Sequence, residues 1–280
     1  MIADNTEPNK GINFDKKDRQ PNSGHSIIST ISNQQPEILD PFTPASEIDS
    51  SNERFSTGAK SLDNIIGGGL ETSTITQFVG PPSSGKTQLC FTLCAILPSH
   101  FKCIFIDTEG TFRPERIEQI KRARETNSCL QNILVKKVST TFELENCLEI
   151  IDKKLQSDRT IKLIIIDSIM SLYRVEYSGP AKLSQRQQQL NIFMFKLRHI
   201  AQIKNVAVVV TNQVYSNYGL GQKDETVGGY IMKYTCTNII NLVKRRDIII
   251  AKLIKSAYYR YDEASLKIDK EGIFDNKEIL

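Results

Sequence analysis

Lys86 and Thr87 close the run Gly80-Pro81-Pro82-Ser83-Ser84-Gly85-Lys86-Thr87, whose residue types and spacing suit the holding of a polyphosphate. Gly80 and Gly85 let backbone come close to a ligand. The N–H groups of Pro82-to-Gly85 residues that have one, with those of the following Lys86-Thr87-Gln88 turn, converge on anionic oxygens, where a helix dipole also favours negative charge. Lys86 then supplies a point charge to the outer phosphates, and the Thr87 hydroxyl has the position of a Mg²⁺ ligand. The pattern is that of a Walker A loop, and it predicts a bound nucleoside triphosphate. Three more groups belong to the same chemistry. Asp167 ends the apolar run Leu163-Ile164-Ile165-Ile166 and has the form of a Walker B acid that holds Mg²⁺ directly or through water. Glu109 lies just past Cys103 to Ile106, where a carboxylate can orient or deprotonate the water that attacks a γ phosphate; its other reading is a salt bridge with Arg113. Gln213 follows Val206 to Val210, and its amide can donate to the γ phosphate and accept from water, as a sensor of nucleotide state.

The elements that must position these groups follow from periodicity. Apolar β-type runs at Ser73 to Val79, Cys103 to Ile106, Leu163 to Ile166 and Val206 to Val210 alternate with helical patterns near Leu89 to Leu97, Arg113 to Arg124, Thr141 to Leu155 and Ser184 to Ile203. This alternation predicts an α/β fold, a mostly parallel sheet with helices on both faces. Each run stops at a polar group, and ligands of such sheets bind at the carboxyl ends of the strands. The stripe Leu190, Phe193, Leu197, Ile200 predicts a helix packed on the sheet. Lys244-Arg245-Arg246-Asp247 separates Asn238 to Val243 from Ile248 to Ile254 as the solvated turn of a C-terminal β-hairpin.

Composition divides the 280 residues in two. Residues 1–54 are rich in Asn, Ser, Asp, Gln and Pro with scattered apolar points, too few to offset the ordering entropy, and are expected to be a mostly disordered tail; residues 55–280 carry the core. Met1-Ile2-Ala3-Asp4 opens neither a signal nor a transit peptide, and no run of about eighteen apolar residues follows, so a cytoplasmic protein off the membrane is expected. The six cysteines are dispersed without metal spacing, which fits reduced, packed thiols. A net charge of +4 permits nucleic acid as a partner without arguing for it.

Phe55-Ser56-Thr57-Gly58-Ala59-Lys60-Ser61-Leu62-Asp63, then Gly67-Gly68-Gly69-Leu70-Glu71, then Ile106-Asp107-Thr108-Glu109-Gly110-Thr111-Phe112-Arg113-Pro114-Glu115-Arg116-Ile117 resemble the core of RecA-type recombinases of the archaeal RadA and eukaryotic kind. Leu172-Tyr173-Arg174, Tyr177-Ser178-Gly179, Leu183-Ser184-Gln185-Arg186-Gln187, Thr211-Asn212-Gln213-Val214 and Gly228-Gly229 extend the likeness over residues 55 to 280. It implies a RecA-like ATPase core that uses ATP and Mg²⁺ and binds single-stranded DNA through two loops, here Arg174 to Gln185 and Val214 to Val227. Arg174, Lys182, Arg186, Tyr215 and Tyr218 are the candidate DNA contacts. Pro41-Phe42-Thr43-Pro44-Ala45 resembles the Phe-x-x-Ala motif by which one recombinase subunit adds a strand to its neighbour, with Phe42 and Ala45 as the buried anchors. The Gly80-Pro81-Pro82 loop form, the short Gln213-Val214-Tyr215-Ser216 loop and Lys255 resemble RadB, an archaeal paralogue. Two departures bear on activity. Pro180 replaces the arginine that follows Tyr-Ser-Gly in the family, and Lys255 to Glu263 stand where the family has an Asp-Ser-Pro cap over the neighbour's ATP; a solvated strand-end lysine is the plainer reading of Lys255.

The expected function is that of an ATP-dependent DNA-binding protein of homologous recombination and DNA repair. The alternative is a paralogue that binds ATP, hydrolyses it little and regulates a partner RadA-type filament. Glu109 with Gln213 favours the first, Pro180 and the missing cap the second.

Overall fold

The computed structural model describes residues 44–47, 52–215, 225–226 and 229–276. The chain divides into Met1–Asp49 and Ser50–Leu280. In the first unit the described residues are Pro44 and a 3₁₀ turn at Ala45–Glu47, all exposed, closed by the Glu47 amide donating to the Pro44 carbonyl at 2.9 Å. Phe42 lies outside the described residues, as does the rest of the expected tail up to Thr43.

The second unit begins with β1 (Arg54–Phe55), α1 (Lys60–Ile65) and β2 (Leu70–Glu71), then alternates β3 (Ile75–Gly80), α2 (Lys86–Ile96), β4 (Lys102–Asp107), α3 (Pro114–Arg124), β5 (Ile133–Lys137), α4 (Thr141–Ser157) and β6 (Ile161–Asp167). It continues through α5 (Ser171–Glu176), α6 (Leu183–Lys204), β7 (Ala207–Tyr215), β8 (Glu225–Thr226), α7 (Gly229–Thr235), β9 (Asn238–Arg245), β10 (Ile248–Ser256), β11 (Glu263–Asp269) and β12 (Gly272–Asp275). β1 and β2 pair with each other, while the large sheet has the order β12-β11-β10-β9-β3-β7-β6-β4-β5. From β5 to β9 neighbouring strands run parallel, and β9 to β12 form an antiparallel meander.

The central strands are buried on both faces, so their residues alternate between two cores rather than between core and water. Phe78 of β3, Phe105 of β4 and Leu163 and Ile165 of β6 face one core with α2 and α3; Ile75, Val79, Ile104, Ile106, Ile164 and Ile166 face the other with α4 and α6. α4 shows how local signals set an element. The Thr140 hydroxyl accepts from the Glu143 amide at 3.1 Å and the Glu143 carboxylate from the Ser139 amide at 2.7 Å, a reciprocal cap. Leu144, Cys147, Leu148, Ile151 and Leu155 then form one buried stripe. The Leu190, Phe193, Leu197, Ile200 stripe of α6 is likewise buried.

Three features differ from the sequence reading. The C-terminal hairpin is the first turn of a four-stranded meander: β9–β10 turns at Arg246, in the left-handed region at φ 52°, and Glu263–Asp269 and Gly272–Asp275 add two strands. β5 carries no strand pattern in sequence, because Ile133-Leu134-Val135-Lys136-Lys137 is apolar at one end only, as suits an exposed edge. Lys255 is not a solvated strand end. It sits half-buried at the irregularity between Leu253 and Lys255, and its ammonium donates to the Cys236 carbonyl. Burial, with Arg198 and Lys233 nearby, pulls its pKa below the usual lysine value. All six cysteines are free thiols. No helix among the described residues is long and apolar enough to cross a membrane.

Candidate nucleotide site

Parallel pairing brings the polar strand ends together. Gly80 of β3 is in register with Gln213 of β7, and Asp107 of β4 with Asp167 of β6. The phosphate loop runs from Gly80 into α2, which begins at Lys86, three residues earlier than the apolar pattern alone suggests, because Lys86 to Gln88 form the polar first turn. Gly80 is required: a Cβ there would lie 2.4 Å from the Leu242 carbonyl oxygen and 2.6 Å from Ser84 Oγ. Gly85 has φ +100°, where an L side chain is strained, and a Cβ would crowd Ile249 and Ile268. Ser83 is also left-handed at φ 62°, so the loop curls around its own amides, the form of an anion-binding concavity.

Lys86 is buried at 8% exposure and donates to the carbonyls of Gly80 (2.9 Å) and Pro81 (2.8 Å). Burial lowers its pKa, while Asp167 and Glu109 act to raise it. The Thr87 hydroxyl donates to Asp167 Oδ2 at 2.7 Å, and the Thr211 hydroxyl donates to Oδ1. Desolvation raises the Asp167 pKa, against the two hydroxyls and Lys86, which favour the carboxylate; Glu109 adds a like charge. Asp167 is thus a buried acid that gains from a cation, and with Thr87 it offers two hard oxygens of the kind Mg²⁺ takes. The loop, Lys86 and this oxygen pair fit a Mg²⁺ nucleoside triphosphate. The Gln88 side chain turns aside, accepting from Arg116 Nε at 2.8 Å, and so ties α2 to α3.

Glu109 is exposed, and its Oε1 accepts from Ser168 Oγ at 2.7 Å. The salt bridge to Arg113 does not form, since that guanidinium donates to the Gly110 and Phe112 carbonyls instead. Around Glu109 lie further polar groups of the two acidic strand ends, Asp107-Thr108 and Asp167-Ser168, at which the apolar runs stop in sequence. The Asp107 carboxylate accepts from the amides of Thr111 and Phe112, both at 3.1 Å, which fixes the turn bearing Glu109. The Thr108 hydroxyl accepts from the Ser168 amide at 2.8 Å and meets Ser171 Oγ at 2.6 Å. Their only signal in sequence is that hydroxyl residues follow both acidic strand ends.

Gln213 Oε1 accepts from Arg174 Nη1 at 2.9 Å. An arginine only donates, so this end of the amide is the oxygen, which keeps a second lone pair for another donor. Arg174 lies on α5 rather than in a loop, and the rest of the expected first DNA loop is a short link through the 3₁₀ turn Pro180–Lys182 into α6. Lys182 is exposed and donates to the Glu176 carbonyl at 3.3 Å, and Arg186 is half-buried in the first turns of α6. Of the expected mobile segment Val214 to Val227, the described residues Val214–Tyr215 and Glu225–Thr226 pair as antiparallel strands. Tyr218 lies outside the described residues.

A phosphate loop, a paired Thr87 and Asp167, and an acid on the adjacent strand end, all on one parallel sheet, define a RecA-like α/β nucleotide-binding core. The model of the Rad51 family matches residues 50–276. The chain is 39% identical over 242 residues to the meiotic recombination protein DMC1 of Saccharomyces cerevisiae, a match covering 80% of this chain and 72% of that protein. It is 38% identical over 240 residues to the human meiotic recombination protein DMC1/LIM15 homolog, covering 80% and 71%. The chain belongs to the Rad51 family of recombinases.

Proposed function

We propose that this protein binds Mg²⁺-ATP and single-stranded DNA in homologous recombination and repair, and that it hydrolyses ATP with Glu109 as the base. The observation that carries this reading is the buried Lys86 beside Thr87 and Asp167, with Glu109 held at their rim by Ser168. When bound, the metal neutralises developing phosphate charge. Lys86 holds the outer phosphates, Thr87 and Asp167 hold the metal, and Glu109 takes a proton from the attacking water. The test is ATP turnover with and without single-stranded DNA, alongside nucleotide binding. Turnover raised by DNA supports the reading, and tight binding with negligible, DNA-indifferent turnover replaces it with the regulatory paralogue.

A RadB-like placement is the finer form of this proposal. It is supported by Pro81-Pro82 in the phosphate loop and by Lys255, a half-buried cation in the segment where the family's acidic cap is expected. Free, mostly buried thiols suit the reducing cytoplasm that the proposal assigns to it.

The partner is a second copy or a RadA-type recombinase, joined through Phe42 and Ala45. What supports this is the exposed edge strand β5, with Val135 40% exposed, beside an apolar cavity of about 170 Å³ lined by Leu134, Cys147, Ile150 and Ile151. An added strand satisfies that edge, and the cavity takes an aromatic side chain. Phe42→Glu is expected to shift the species seen by light scattering towards monomer, as is Val135→Glu on the receiving side. An unchanged distribution in both removes this contact.

DNA binding through Arg174, Lys182 and Arg186 rests on phosphate charge. The logarithm of affinity against that of salt is therefore expected to fall with a slope of about −2 for three contacts to a single strand. A flat salt response in fluorescence anisotropy would exclude phosphate contacts by these residues.

A further inference from the structure

The end of α2 opposite Lys86 borders a cavity of about 370 Å³. Leu93, Ile96 and Leu97 from the last two turns of the helix form its apolar floor, and Phe55 of β1 and Leu163 of β6 add to the wall. Leu163 lies towards the end of β6 opposite Asp167, so the cavity is on the amino side of the sheet, away from the phosphate loop. Three cations and no acid share the lining: Arg54, Lys60 and Arg124. Arg54 is matched by Glu71 at 3.1 Å, but neither Lys60 nor Arg124 makes an ion pair among the described residues. Arg124 is half-buried, and its Nε, Nη1 and Nη2 donate to the carbonyls of Glu271 at 2.6 Å, Gly58 at 3.1 Å and Ile273. All three acceptors are neutral. Burial lowers the Arg124 pKa, against the more distant charges of Glu271 and Asp275. The Asp275 carboxylate is itself engaged by the amides of Lys60 and Ser61, both at 2.9 Å, which fixes the first turn of α1 and leaves the exposed Lys60 ammonium without an acid.

We propose that this cavity is a second ligand site, for a small carboxylate with an apolar body, its head held by Lys60 and Arg124 and its body laid on Leu93, Ile96 and Leu97. The volume falls at the lower end of the range for small-molecule sites, and the lining has their character, apolar walls with a few polar groups that fix orientation. A carboxylate gives Arg124 a charged partner where it now has only carbonyls, and charge-assisted bonds of this kind are the stronger ones. Two of the five guanidinium N–H groups are not used in the three carbonyl bonds, so an added acceptor displaces none of them. An amine of the same shape meets like charge, and an alcohol leaves both cations as they are. The 11 residues of α2 separate the cavity from Lys86 by about 16 Å, so occupancy requires neither nucleotide nor DNA.

Octanoate is the probe, with octanol and octylamine as its uncharged and cationic counterparts. Calorimetric titration of the full-length protein with octanoate is expected to show saturable binding at a single site, and melts should shift upward with octanoate by mass action. Octanol and octylamine should bind at least about tenfold more weakly, the scale of one lost hydrogen bond to a charged group. Lys60→Met keeps the apolar stem and should lose about tenfold in octanoate affinity, and Lys60→Arg should restore it. Ile96→Trp fills the floor and should abolish binding. The site is overturned by an absence of saturable binding to wild type, by octanol binding as tightly as octanoate, or by octanoate affinity unchanged in Lys60→Met. Displacement of octanoate by Mg²⁺-ATP also overturns it, because the probe then sits in the phosphate loop. Lys60 is exposed, so its variants are expected to fold, and the Lys60→Met result decides the matter if Ile96→Trp does not fold.

Discussion

Lys86→Ala is expected to abolish measurable nucleotide binding, with ATP turnover at background. The ammonium is buried and held by the Gly80 and Pro81 carbonyls, so it stands within the loop rather than swinging in from solvent. Truncating one partner of such a desolvated charge pair costs about 2–5 kcal/mol, a factor of roughly 30 to 5,000 in affinity. Asp167 loses a favourable charge at the same time, so the metal end of the site weakens as well. The measurement is titration with a fluorescent ATP analogue and Mg²⁺, together with thermal melts with and without ATP. Wild type should gain thermal stability with ATP by mass action, and the variant should not. An ATP-free melting temperature close to wild type shows that the fold survives. Unchanged affinity in a folded Lys86→Ala protein would refute the nucleotide site.

The residues of that site were legible in sequence because each obeys a local rule. Gly80 and Gly85 stand where a side chain cannot fit, Lys86 and Thr87 open a helix, and Asp167 ends a wholly apolar strand. Parallel order follows from the alternation of strand and helix. What stayed hidden depends on pairing between distant segments. β5 is an edge strand with an apolar stretch too short for a pattern, and its place beside β4 is set by register across the sheet. Ser168 and Thr108 are legible as polar strand ends, but the hydrogen bond between them follows from the parallel register of β4 with β6. Arg174 shows the opposite error. Its charge and family likeness suggested a loop, but Ser171-Leu172-Tyr173 bury Leu172 and Tyr173 as the inner face of a short helix, and Arg174 follows them onto Gln213. Lys255 misled for the same reason, since a carbonyl from the end of α7 meets it, and nothing in its neighbours in sequence foretells that.

Glu109→Gln is expected to leave nucleotide affinity within about threefold of wild type and to lower turnover by about 10²–10⁴-fold, the usual contribution of a positioned general base. The substitution keeps the shape and an oxygen that can still accept from Ser168 Oγ, now at 2.7 Å, so the turn fixed by Asp167's neighbour strand and by Asp107 need not move. What it removes is the basic carboxylate. It also removes a like charge from Asp167, whose pKa Glu109 helps to raise, so the acid proposed to hold the metal ionises more readily in the variant than in wild type. Loss of turnover therefore cannot be assigned to a weakened Thr87 and Asp167 pair. Single-turnover hydrolysis at saturating Mg²⁺-ATP, with and without single-stranded DNA, separates this step from binding and product release. A variant as fast as wild type in both conditions would strip Glu109 of its role and leave Gln213 as the group that orients water. A variant that is slow but still accelerated in proportion by DNA would show that DNA acts on the site independently of the base.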